Sequence, residues 1–137
     1  MPQTHRVVLN YDTTKPSPSF GPSPRQVFVA PSDTIQFQIG ESTRLARPDG
    51  KLRITLHNGG PFSQTVLQHS ASQSGAEPLS VAVRPGSAAA LAAAAALTNN
   101  IISGYKCELL DNNGTPVPGL SSDGASGGEI LPDPGTS

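Results

Sequence analysis

Tryptophan is absent from this sequence of 137 residues, cysteine and methionine occur once each, and aromatic rings make up 4% of it. So few rings leave little with which to build the stacking platforms that hold single-stranded nucleic acid. Charge is scarce as well: 14% of residues are Asp, Glu, Lys or Arg, against about a quarter in an ordinary globular chain. The formal net charge of −1 sets up no long-range field to gather nucleic acid or anionic lipid. Neither nucleic acid nor membrane is expected as a partner. Cys107 has no second cysteine to pair with, so nothing marks an oxidising compartment. The alanine tract is too short and too weakly apolar to span a bilayer. No basic stretch followed by an apolar run opens the chain, so a cytoplasmic location is the expectation. A secreted chain whose leader had been removed would read the same way.

Several chemistries are missing too. There is no phosphate-binding glycine loop and no helical zinc motif. The ten acidic residues are scattered, with no spacing that pairs carboxylates for acid–base work. Gly124-Ala125-Ser126-Gly127-Gly128 matches the G-x-S-x-G pattern of a nucleophile elbow, which needs a strand before it and a helix after it. A polar tail offers neither, so chance is the better reading, and a hydrolase centred on Ser126 is the weakest candidate. Asn113-Gly114-Thr115 matches a glycosylation sequon, which matters only in a secretory pathway. No catalytic residue and no cofactor is expected.

What the chain has in quantity is Gly and Pro, 14 of each, which implies many turns and few long helices. Val7, Leu9 and Tyr11 alternate with Val8 and Asn10, a strand-like start with one apolar face. The Pro-rich stretch 15–25 reads as a rigid surface loop, because proline lacks the donor a ladder needs. An SH3-type docking segment is the functional alternative for that composition. Val27 and Val29 open another strand, and Pro31-Ser32-Asp33 turns the chain. Ile35, Phe37 and Ile39 alternate with glutamines, and Leu52, Ile54 and Leu56 alternate with polar residues. Arg47-Pro48-Asp49-Gly50 lies between the two runs and predicts a hairpin joining them.

Leu79, Val81 and Val83 restore the period of two up to Pro85-Gly86, and Tyr105, Cys107 and Leu109 do so again before Asn112-Asn113-Gly114. Alanine's helix propensity favours a helix over 88–97, with Ser87 as N-cap. Leu91 and Leu97, however, are spaced for one face of a strand. A strand and a short helix crossing one end of the fold both remain open. The segment 118–137 is rich in Gly and Ser and reads as flexible, with Glu129-Ile130-Leu131 as a last short strand. One all-β domain over 1–137 is expected, an antiparallel Greek-key β-sandwich.

The order of elements resembles the cupredoxin fold. The resemblance is carried by Val27-Phe28-Val29-Ala30-Pro31-Ser32-Asp33-Thr34-Ile35-Gln36-Phe37, by the strand ending Leu56-His57-Asn58, by the Pro85-Gly86 turn and by Gly104-Tyr105 leading into a late strand. It covers roughly residues 27–131. An immunoglobulin-like sandwich is the rival arrangement. Blue-copper sites of that family join two His and a Cys thiolate, often with an axial Met, and place the second His and the Met just after the Cys. After Cys107 this chain has neither His nor Met, and Phe62 and Ser63 stand where the first His would follow Asn58. The resemblance therefore implies the fold without the copper ligands, and Cys107 reads as a small core residue.

Two functions remain in view. The first is a non-enzymatic binding or assembly module that meets a protein partner, or a second copy of itself, through a strand edge or a flat face. The second is a metal-binding or electron-transfer protein using Cys107 with His57 or His69, although no ligand spacing fixes their approach.

Overall fold

The computed structural model describes residues 3–12, 19–23, 26–41, 43, 49–58, 62–70, 77–86, 88–96, 101–122 and 128–132. In chain order the strands are β1 (Thr4–Asp12), β2 (Ser19–Ser23), β3 (Gln26–Val29), β4 (Thr34–Ile39), β5 (Lys51–Leu56), β6 (Val66–Gln68) and β7 (Leu79–Ala82). The helix α1 (Ala88–Ala96) follows, and then β8 (Ser103–Leu110), β9 (Pro116–Ser122) and β10 (Gly128–Pro132). One sheet runs β2-β1-β4-β7 and the other β3-β10-β8-β5-β6, with β9 added to β8.

The alternation read from the sequence is the alternation of burial. Residues of β4 and β5 point in and out by turns, with Ile35, Phe37, Leu52 and Ile54 fully buried. Each such side chain is worth about 1.5–3 kcal/mol when removed from water. The two inner faces share one core, to which Val7 and Leu9 contribute from the first sheet and Cys107, Leu109 and Ile130 from the second. Phe37 of β4 and Tyr105 of β8 meet edge to face, with ring centroids 5.1 Å apart, and so tie the sheets together.

Both sheets are mixed, which corrects the purely antiparallel expectation. β1 runs parallel to β4, and β3 runs parallel to β10. The cause is a change of sheet between β2 and β3: the chain leaves the first sheet, makes β3 in the second, and returns as β4 on the other side of β1. The return is made at Pro31-Ser32-Asp33, where Ser32 takes φ 73°. Asp33 is the staple of this turn. Its carboxylate accepts from the Ala30 and Gln3 backbone N–H groups, both at 2.9 Å, and lies 2.8 Å from His5 Nε2.

The hairpin expected at Asp49-Gly50 does not form. β4 belongs to the first sheet and β5 to the second, so the two are not paired with each other. Two alternating runs with a turn between them specify strands but not which strand each one pairs with. Within the Pro-rich stretch, Ser19–Ser23 is a strand and not a loop, with Pro22 opposite Leu9. Pro22 is tolerated because β2 is the edge of its sheet. Part of the tail is ordered as well, since β9 covers Pro116–Ser122 and β10 covers Gly128–Pro132.

The alanine tract is helical. Leu91, half-buried, and Ala95, 2% exposed, lie four residues apart on one face and pack on the core. The pair that matters is Leu91 with Ala95; Leu97 lies outside the described residues. A helix of nine residues is marginal alone, so this docking holds it in place. The expected turn at Asn112-Asn113-Gly114 does join β8 and β9. Asp111 Oδ1 accepts the N–H groups of Asn113 and Thr115, both at 2.9 Å, and Gly114 supplies φ 80°.

Candidate functional site

β8 is the central strand of the second sheet, and β5 lies along one side of it from Tyr105 to Leu110. The other side is shared: β10 takes Ser103–Tyr105 and β9 takes the stretch from Cys107 onward. Where β5 ends, its last residues are bound to the start of β8. His57 N–H donates to Gly104 O at 2.9 Å and Asn58 N–H to Ser103 Oγ at 3.0 Å. Asn58 Nδ2 donates to Ile102 O at 3.2 Å, and Ser103 Oγ donates to Gly104 O at 2.7 Å.

This corner opens into a cleft of about 400 Å³ lined by His57, Asn58, Ile101, Ser103, Gly104 and Glu129, among others. Its shape follows from register. Gly104 faces Glu129 on β10, and Glu129 faces Gln26 on β3. Their sequence neighbours Tyr105, Ile130 and Val27 are buried, so the row His57, Gly104, Glu129, Gln26 lies on the outer face. The glycine leaves a trough in that row. A β-carbon at Gly104 would stand 3.2 Å from His57 Nδ1, so the imidazole leans over the gap. On the far wall Gln26 Nε2 donates to Glu129 Oε1 at 3.0 Å and orients the carboxylate. Beneath, Gly128 is obligatory, because a β-carbon there would overlap the Tyr105 ring.

The residues named for a metal site are placed apart. Cys107 faces Ile54 in the middle of the inner face and is fully buried. His57, beyond the end of β5, is exposed. His69 sits at the opposite end of that strand, 3% exposed, exchanging bonds with Leu52. His57 lies five positions along the chain from Leu52, a span of about 17 Å in a strand. Both His69 nitrogens are engaged: Nδ1 accepts Leu52 N–H at 2.9 Å, and Nε2–H donates to Glu77 O at 2.7 Å. Burial holds the His69 pKa below its ordinary value, more than the bond to Glu77 raises it. Among the described residues no three His, Cys, Asp or Glu side chains converge.

Phe62, where the copper resemblance would place a ligand, is 1% exposed and bridged to Val83, while Ser63 Oγ accepts Ala82 N–H at 3.1 Å. Ser126 lies outside the described residues. Asn113 and Thr115 of the sequon are exposed on the β8–β9 turn. Among the described residues no helix is long and apolar enough to cross a membrane.

Sequence reasoning missed the trough, because Gly104 and Glu129 become neighbours only through strand register. Comparison with protein families, curated proteins and solved structures returned no match.

Proposed function

We propose that the chain is a non-enzymatic binding module of cupredoxin-like Greek-key build, and that it meets a protein partner through the outer face and edge of its second sheet. The fold part of this reading is supported by where the resembling pieces fall. The strand–turn–strand from Val27 to Phe37 is β3, the Asp33 turn and β4, and His57-Asn58 closes β5 beside Gly104-Tyr105 at the start of β8.

The observation that carries the binding part is Phe28. It lies on β3, the edge strand of the second sheet, is 44% exposed, and stands in register with the half-buried Leu131 of β10. Among the described residues no strand lines the outer edge of β3. β3 contains neither Pro nor Lys, two of the residues that usually protect such an edge. An exposed aromatic ring beside an open ladder gives a partner both an anchor and backbone bonds.

Wild type and Phe28→Glu should be compared by light scattering and by cross-linking recovery from the native cell. Self-association or a recovered partner is expected for wild type and is lost in the variant, with the thermal midpoint unchanged. A strictly monomeric wild type that recovers no partner overturns the reading.

A further inference from the structure

Resting on that binding role, we propose that the partner at the β3 edge is a second copy of this chain, which docks through the β6 edge of its own second sheet. Among the described residues the large apolar side chains left exposed are Phe28, at 44%, and Val66, at 49%. They stand on β3 and β6, the opposite edges of one sheet. The edges of the first sheet are guarded. Pro22 interrupts the ladder of β2, while Phe62 is bridged to Val83 and Ser63 N–H donates to Ala82 O at 3.0 Å along β7. Neither β3 nor β6 contains a proline or a charged residue.

Strand direction, backbone polarity and pleat all fit the two edges together. β3 is parallel to β10, and each further step to β8, β5 and β6 is antiparallel, so β3 and β6 run in opposite senses. A copy set beside the first in the same orientation therefore meets β3 with an antiparallel β6. On β6, Thr65 O and His69 N–H are bonded to β5, so the backbone groups of Val66 and Gln68 turn to the open edge. On β8, Gly104 O faces His57, so Ser103 turns toward β10 and the opposed Ile130 turns back to it. Leu131 then turns to β3, where the bonds of a parallel ladder fall on the residues either side of Phe28. Phe28 and Gln26 thus present their own N–H and C=O groups outward.

The register that pairs Phe28 with Val66, Val27 with Leu67 and Gln26 with Gln68 meets every condition at once. Outward-turned groups face outward-turned groups, the exposed residues of both strands share the outer face, and the buried Val27 and Leu67 share the inner one. Phe28 covers Val66, an aromatic and a β-branched side chain in a favourable cross-strand pair. Self-pairing of the β3 edge would set Phe28 against Gln26 or another Phe28 and leave Val66 uncovered. A contact between two different edges is heterologous, so copies add beyond the dimer.

The test is analytical sedimentation of the full chain over a range of concentrations, for wild type, Phe28→Glu, Val66→Glu and an equimolar mixture of the two variants. Wild type should form oligomers beyond the dimer, in amounts that rise with concentration, since so short an overlap gives weak association. Each variant alone has lost one edge and should stay monomeric. In the mixture the intact β6 edge of Phe28→Glu meets the intact β3 edge of Val66→Glu, so dimers should form and go no further. Thermal midpoints should match wild type, and Val66→Gln takes the place of Val66→Glu if the glutamate lowers its midpoint. A Val66 variant that associates as wild type does, or a mixture that stays monomeric, overturns the assignment. So does a wild type that stays monomeric or stops at the dimer. If cross-linking still recovers a different protein through Phe28 in that event, the binding role stands and only the second copy falls. If wild type is monomeric and nothing is recovered, both fall.

Discussion

Leu52 and His69 hold each other twice: the Leu52 N–H donates to His69 Nδ1 at 2.9 Å, and the His69 N–H donates to Leu52 O at 3.1 Å. The imidazole thereby extends the β5–β6 ladder by one side-chain rung, and its other nitrogen fastens Glu77 at 2.7 Å. A ring that accepts a backbone N–H at Nδ1 must be neutral and protonated at Nε2.

Stability should therefore fall on mild acidification. The His69 pKa in the fold lies below its ordinary 6.5, so the unfolded chain takes up a proton more readily. The contribution is complete above about 6.5 and is lost as pH falls through the lower folded value. Urea midpoints measured between pH 7.5 and about 5 should decline in wild type and decline less in His69→Gln. His69→Ala should cost about 2–3 kcal/mol at neutral pH, since it leaves a buried backbone N–H without its acceptor.

Asp33 sets a second, lower window. Burial alone would raise its pKa, but the bonds from His5, Ala30 and Gln3 outweigh that and hold it below the ordinary 3.8. Its contribution is present above 3.8 and is lost as pH falls through the folded value. Asp33→Ala should cost about 2–4 kcal/mol in a denaturant titration, because three donors lose one acceptor. His5→Ala should cost less, because it removes only one of them.

Two glycines separate close packing from backbone conformation. Gly128→Ala drives a methyl group into the Tyr105 ring and should lower stability by about 1–3 kcal/mol or more. Gly114→Ala meets nothing within 4 Å and carries only the strain of φ 80°, an expected loss of about 1 kcal/mol. Thermal unfolding of the two variants should rank them in that order.

Cys107→Ser introduces a hydroxyl into the fully buried face opposite Ile54 and should destabilise by about 1–3 kcal/mol. Copper uptake, followed by absorption and by titration, should not change between the two proteins. A charge-transfer band in wild type that disappears in the variant would restore the metal-centred reading.

Much of the strand content was legible because each strand buries one face. Ile35-Phe37-Ile39 and Leu52-Ile54-Leu56 announce themselves by period, and the Asp111–Gly114 turn by its residues. Pairing was not legible. The turn residues at Asp49-Gly50 are those of a hairpin, yet β4 and β5 lie in opposite sheets. For α1, local propensity pointed the right way, and the misleading signal was the spacing of Leu91 and Leu97 in place of Leu91 and Ala95. The candidate site was hidden for a related reason. Gly104 reads as one more glycine until register sets His57 on one side of it and Glu129 on the other. His69 reads as a polar loop residue until its two bonds are seen.

The position of β10 between β3 and β8 bears on how the chain is made. Residues 26–29 emerge from a ribosome roughly a hundred positions before residues 128–132, which among the described residues are their only strand partner in the sheet. At about 5–20 residues per second, β3 waits several seconds with Val27, Val29 and Phe28 uncovered. Nascent chains of this protein are thus most open to misassociation during that interval, and a translational pause placed after residue 29 would lengthen it.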